Sequence, residues 1–273
     1  MSSRAGSGAP SPVVLLHGAT ASARIWAPVL PALHAHRPVF VPTLAGHWGG
    51  PPLSVPPAMV VSGIVDAACQ QLDEAGIESA HLVGNSLGGW VALELGRRGR
   101  ALSVLALSPA GAWRSPKDLE RMLRIFRVGA GLRRATTIHK LASRRRARRI
   151  LLRAMAEHAD RMSPAQVAAL FEDMAGCAVL TDLLAGARDA GPMAAFEQLM
   201  CPVRIAWGDR DRTLPFMRYG APMLAAVPGA ELVMLPGVGH VPMIDDPALT
   251  ARTILDFIAS VDIRGEMDLK NEA

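Results

Sequence analysis

Cysteine is scarce in this chain and scattered. The three residues, Cys69, Cys177 and Cys201, form no CxxC and no cluster with the eight histidines. This excludes a disulfide scaffold and gives no metal-ligand spacing; it implies a reducing compartment with free, mostly buried thiols. Aromatic residues are only 4%, and no recognised nucleic-acid-binding module is present, so nucleic acid is not an expected partner. Met1 to Pro10 hold no apolar run of the signal-peptide kind and read as a disordered tail. The longest stretch free of Asp, Glu, Lys and Arg runs from Pro38 to Val65. It contains six prolines and four glycines, a composition unlike a membrane span. A soluble cytoplasmic protein is expected.

What is present is apolar. Hydrophobic residues make up 50% of the 273 and charged residues 19%, enough for one large domain or a domain carrying an insertion. Short apolar runs at 13–16, 39–41, 80–83, 102–107, 203–207 and 232–235 read as strands, and the β-branched run at 13–16 fits one buried on both faces. Helical stretches fall between them, at 25–36, 57–75, 87–98, 216–227 and 246–260. Gly76 closes the second, and Asp246-Pro247 supplies an N-cap and first helical position for the last. Strands alternating with helices predict an α/β fold: a mostly parallel sheet of about six strands with helices on both faces.

Chemistry-bearing residues gather just after the strands. An apolar run ends in Gly84-Asn85-Ser86-Leu87-Gly88, and a helical run follows at once. This G-x-S-x-G pattern between strand and helix is a nucleophile elbow. The turn is so tight that the residues two before and two after the serine must be small. It lifts the Ser86 hydroxyl to the sheet's edge and points the Leu87 N–H, at a helix N-terminus, toward any developing oxyanion. Serine needs a base, and the base needs an orienting acid. Asp209 and Asp211 follow the 203–207 strand. His240 lies in the glycine-rich loop Pro236-Gly237-Val238-Gly239-His240 after the last strand. Parallel sheets place sites at the carboxyl ends of their strands, and His17-Gly18, Ser86, Asp211 and His240 all fall there.

On these motifs the chain resembles the serine hydrolases of the α/β-hydrolase family, from about Val13 to about Ser260. The resemblance implies the order Ser86, acid, His240, and places the acid at Asp211 rather than Asp209. It implies a second oxyanion donor just after His17-Gly18, the N–H of Ala19, with His17 ordering the loop. No cofactor or metal is called for. Two departures stand out. The antiparallel hairpin that usually opens the family's sheet has no room before residue 12. Thr43, in Pro42-Thr43-Leu44-Ala45-Gly46-His47, stands where the family often has Asp. Relatives that open epoxides or displace halide carry Asp at the nucleophile position. Ser86 implies instead an acyl-enzyme route on an ester, thioester, lactone or amide. Carbon–carbon bond hydrolysis and a non-catalytic ligand-binding role on the same fold remain alternatives.

Residues 113–192 interrupt the alternation. They read as a helical cap inserted into a core of residues 12–112 and 193–261, with tails at 1–11 and 262–273. Met122, Leu123, Phe126, Met155, Leu170, Phe171, Met174, Leu180, Leu183 and Leu184 would either pack the cap or line an acyl pocket. Charge is concentrated here. Arg114 to Arg153 carries 14 Lys+Arg against Asp118 and Glu120, a local +12 in a chain of net +5. The run Arg144, Arg145, Arg146, Arg148 and Arg149 reads as a solvated face or as a docking patch for an acidic partner such as an acyl carrier protein.

Overall fold

A computed structural model describes residues 10–132 and 144–271. Residues 1–9 of the expected tail at 1–11, residues 133–143 of the basic insertion and residues 272–273 of the expected C-terminal tail lie outside the described residues. The sheet has six strands: β1 (Val13–Leu16), β2 (Val39–Phe40), β3 (Ala80–Asn85), β4 (Ala101–Leu107), β5 (Val203–Gly208) and β6 (Glu231–Leu235). Their order is β2-β1-β3-β4-β5-β6, and every pairing is parallel. The chain leaves β1 in one direction for β2 and returns to its other side for β3. The β1/β3 seam is thus the point where winding reverses, the place where open parallel sheets form a crevice. Leu16 pairs with Gly84 across that seam, so His17-Gly18 and Asn85-Ser86 emerge side by side.

Alternate strand residues feed two apolar layers, the consequence of the two-residue period of a strand. Val14, Leu16, Leu82, Val104, Ala106 and Ile205 pack with α2 (Val60–Glu74) and α3 (Leu87–Arg97). Val13, Leu15, Val83, Leu105, Leu107 and Ala206 pack on the opposite face. That face is covered by Leu33 of α1 (Leu30–His34) and by Ile254, Phe257 and Ile258 of the C-terminal helix. Burial on both sides explains why these strands read as unbroken apolar runs.

Between β4 and β5 come α4 (Pro116–Leu132), α5 (Arg145–Leu151), α6 (Pro164–Gly176) and α7 (Leu180–Asp189). α6 is entered through a capping box, in which Ser163 and Gln166 satisfy each other's backbone N–H. After β5 come α8 (Phe216–Ala226), α9 (Pro242–Asp245) and α10 (Pro247–Asn271). α8 runs through Pro222 without ending.

The structure corrects four expectations. The first helix, expected at 25–36, is a 3₁₀ turn at Ala23–Trp26 followed by the five-residue α1, because Pro28 and Pro31 cannot donate inside a continuous helix. The second begins with a 3₁₀ turn at Pro57–Met59 and becomes α-helical only at Val60. The expected tail at 262–273 is helical as far as Asn271; Asp262 is held by Arg37 and sits 3.3 Å from His81 Nε2. Finally, Arg148 is buried, its guanidinium donating to the Asp160 carbonyl at 3.4 Å. It therefore belongs to the packing under α5. Arg144, Arg145, Arg146 and Arg149 are exposed, with Arg145 near Asp160 and Arg149 paired to Glu157.

Among the described residues no helix is long and apolar enough to cross a membrane, and no three His, Cys, Asp or Glu side chains gather as a metal site. The cysteines are free thiols; Cys177 is buried, while Cys69 and Cys201 are half-buried. Burial pushes the Cys201 thiol up to about 11.

Candidate active site

Ser86 is the residue between β3 and α3, at φ 56° and ψ −117°. An L-residue reaches this conformation only when its surroundings impose it. The two flanking glycines show how. A Cβ on Gly84 would stand 2.0 Å from the Gly88 carbonyl oxygen, and one on Gly88 would stand 2.1 Å from the Leu16 carbonyl oxygen. The first contact closes the elbow on itself; the second presses α3 against the end of β1. Ser86 is nearly fully buried. Leu87 opens α3, so its N–H has no acceptor within the helix.

The loop after β1 lies directly against this elbow. A Cβ on Gly18 would be 3.2 Å from Ser86 Cβ, which places Ala19 beside the serine. His17 fixes that loop. Its Nε2 accepts the Leu44 N–H at 2.9 Å, so its Nδ1 carries the proton and donates to the Gly18 carbonyl at 2.8 Å. Burial, and then the neighbouring His47, lower its pKa to about 3, so the ring is neutral at ordinary pH. Thr43 joins the same junction by accepting the Ala23 N–H at 3.2 Å. His17 thus orders the loop, in line with its sequence reading.

The two acid candidates separate cleanly. Asp211 Oδ2 accepts from His240 Nδ1 at 2.7 Å, and Asp211 Oδ1 accepts the Leu214 N–H at 2.7 Å. Its side chain is fully shielded from water. Asp209 is exposed and instead accepts the Gly237 N–H at 2.7 Å, bracing one turn against another. With Nδ1 engaged by a carboxylate, neutral His240 keeps a lone pair on Nε2. That atom is buried and has no hydrogen-bond partner among the described residues.

Residues that sequence reasoning did not single out hold this pair in place. Asn85 Nδ2 donates to the His240 carbonyl at 2.8 Å and to the Leu107 carbonyl at 3.1 Å. Asp245, fully buried in α9, accepts the N–H groups of Gly239 (2.6 Å), Glu157 (3.0 Å) and His158 (2.6 Å). The segment at 154–158 is clasped again from the acid side. Thr213 Oγ1 donates to the Ala154 carbonyl at 2.7 Å, and Arg212 pairs with Glu157. A second tie joins α6 to the loop after β1: Asp173 accepts from Ser22 Oγ at 2.8 Å and from Arg24.

Two cavities meet at Ser86. The larger, about 370 Å³, includes Ser86, His240, Ala19 and, from the insertion, Met155, Leu170, Phe171 and Met174. The smaller, about 60 Å³, includes Ser86, Leu87, Ala19 and Trp90, with Met122, Leu123, Leu180, Leu183 and Leu184 around them. Phe126 lines both. All ten apolar positions singled out in the insertion thus face one cavity or the other. Several also pack: Leu170 and Phe171 belong to a small apolar cluster with Val167, and Met122 and Leu123 join the main core.

Comparison with known proteins gives a consistent picture. A family profile described as the alpha/beta hydrolase family matches residues 13–253. The chain is 35% identical over 199 residues to epoxide hydrolase EphH of Mycobacterium tuberculosis, covering 71% of this chain and 93% of that protein. It is 29% identical over 266 residues to the pimeloyl-[acyl-carrier protein] methyl ester esterase of Aromatoleum aromaticum, covering 90% and 97%. Among solved structures, the 2-hydroxy-6-oxo-6-phenylhexa-2,4-dienoate hydrolase of Rhodococcus sp. strain RHA1 superposes with a TM-score of 0.70. The identity there is 24%, over 90% of this chain and 89% of that one.

Proposed function

The chain belongs to the α/β-hydrolase family, and on that premise we propose that it is a serine hydrolase that cleaves an ester through an acyl-enzyme. The observation that carries this reading is the shielded Asp211–His240 pair, with Nε2 left unpartnered in the cavity that Ser86 lines. In the proposed cycle His240 Nε2 takes the Ser86 proton as Oγ attacks the acyl carbon. The N–H groups of Ala19 and Leu87 hold the oxyanion. The imidazolium, held by Asp211, then gives its proton to the leaving alcohol oxygen as the C–O bond breaks. Water, deprotonated by His240, attacks the acyl carbon, and Oγ recovers its proton as the acid departs.

The similarity to an epoxide hydrolase favours a second reading, opening of a strained ether. Ser86 argues against a covalent route of that kind. A serine oxygen on an epoxide carbon leaves an alkyl ether, which has no acyl carbon for water to attack, whereas a serine ester turns over. An epoxide would have to be opened by water activated at His240. The exposed arginines of α5 support a further reading, in which an acidic carrier presents the acyl group; Leu151 and Leu152, at the end of that helix, line the larger cavity.

The test is stopped-flow hydrolysis of 4-nitrophenyl acetate beside diol formation from styrene oxide. A Ser86-dependent burst of nitrophenol followed by turnover, without diol, is expected. Diol formation that survives Ser86→Ala would contradict the ester reading.

A further inference from the structure

The two cavities at Ser86 are unequal, and the catalytic groups divide between them. His240 lines only the larger; Leu87 lines only the smaller; Ser86 and Ala19 line both. A tetrahedral adduct on Ser86 sends its acyl substituent and its leaving group in different directions. The leaving oxygen must lie toward the proton on His240 Nε2, since general acid transfer needs hydrogen-bond reach. The water that follows must come from the same side. Only the larger cavity offers that contact. The acyl substituent is left to the smaller cavity, beside the Leu87 N–H that would hold the oxyanion.

From this division we infer the substrate class: esters that pair a short acyl group with a larger apolar alcohol. The inference rests on the serine-hydrolase reading. Relative volume sets the preference: the small cavity measures about 60 Å³ against about 370 Å³ for the large one, so the bulkier of the two ester substituents belongs in the large one. The walls of the small cavity are Trp90, Leu123, Leu183 and Leu184, which can neither solvate a charged acyl tail nor reach around a long one. The large cavity, about 370 Å³, is faced by Ile25, Met155, Leu170, Phe171 and Met174. An extended or ring-bearing apolar alcohol fits such walls. Phe126, shared by both cavities, stands as the divider. Bond-making is that of ordinary ester hydrolysis: the alcohol leaves with the His240 proton, and water supplies hydroxide to the acyl carbon and a proton to His240.

Two isomers decide the orientation. Octyl acetate and methyl nonanoate have the same atoms and the same bulk, with the long chain on opposite sides of the ester. Octyl acetate is expected to show at least a tenfold higher kcat/KM. Leu184→Ala, which enlarges the small cavity, should raise the kcat/KM ratio of 4-nitrophenyl hexanoate to 4-nitrophenyl acetate about tenfold. Leu152→Trp, which fills the large one, should lower the ratio of octyl acetate to ethyl acetate by a similar factor. If 4-nitrophenyl acetate is hydrolysed in a Ser86-dependent way but methyl nonanoate equals or exceeds octyl acetate, the orientation is overturned and the hydrolase reading stands. If Ser86→Ala leaves 4-nitrophenyl acetate turnover intact, both fall together.

Discussion

Asp245 holds the residue before the proposed base: its Oδ2 accepts the Gly239 N–H at 2.6 Å. The same oxygen accepts the Glu157 N–H at 3.0 Å, and Oδ1 accepts that of His158 at 2.6 Å. One buried carboxylate therefore ties the His240 loop to a turn of the insertion, and the side chains of Arg212 and Thr213 tie that turn to the Asp211 loop. The proposed acid and base come from separate strand ends, and both are braced by the same segment of the insertion. Asp245→Ala would leave three backbone N–H groups without their acceptor. It should destabilise the protein by about 3–5 kcal/mol in urea unfolding. In the fraction that stays folded, kcat for 4-nitrophenyl acetate should fall by at least tenfold with little change in KM. A variant of unchanged stability would show that the brace is dispensable.

The choice between the two acids has its own test. Asp211→Asn removes the acceptor of His240 Nδ1 and should lower kcat by about 10⁴-fold, the size of effect found when a triad Asp is replaced by Asn. Asp209→Asn touches only the exposed Gly237 contact and should change kcat less than threefold. The reverse pattern in steady-state kinetics would move the acid to Asp209.

His17 links stability to pH. Its folded pKa of about 3 lies below the ordinary value of 6.5. Between those values the unfolded chain binds a proton that the folded chain does not, so stability is lost as pH falls through that window. From pH 7 to pH 5 this one group should cost about 2 kcal/mol. His47, also lowered by burial, acts in the same direction. His17→Gln should be less stable at pH 7, yet lose about 2 kcal/mol less than the parent between pH 7 and 5 in urea titrations. Parallel losses in both proteins would mean that the imidazole titrates normally.

The basic helix makes a separate prediction. Reversing Arg145, Arg146 and Arg149 to Glu should raise KM for an acyl group presented on an acidic carrier protein about tenfold or more at low salt, and flatten its salt dependence. Hydrolysis of 4-nitrophenyl acetate should stay within twofold. Equal losses on both substrates would assign these arginines to packing, as the buried Arg148 already is.

The sheet was legible because its central strands are buried on both faces, so β1 and β4 read as apolar runs and the elbow as glycine, serine and glycine between two periods; the edge strand β6, largely exposed, was legible by its apolar residues alone. His240 could be singled out because glycines surround it in a loop after the last strand. What escaped notice was support. Asp245 follows Pro242-Met243-Ile244 with no pattern of its own, and its role depends on a turn some 90 residues earlier in the chain. Likewise, nothing in the spacing of Ser22, Arg24 and Asp173 shows that they meet. Helix ends failed where proline broke a run, at Pro28 and Pro31, and where a distant pair, Arg37 with Asp262, accompanied an extended one.

The proposed cycle turns on a Ser86 oxygen that attacks an electrophile. Intact-mass spectrometry after exposure to a small fluorophosphonate, with peptide mapping, on the parent protein and on Ser86→Ala reads this out. One adduct per chain, located on Ser86 and absent from the variant, is the predicted result. A parent protein that stays unlabelled while it turns over esters, or an adduct that persists in Ser86→Ala, would rule out Ser86 as the nucleophile.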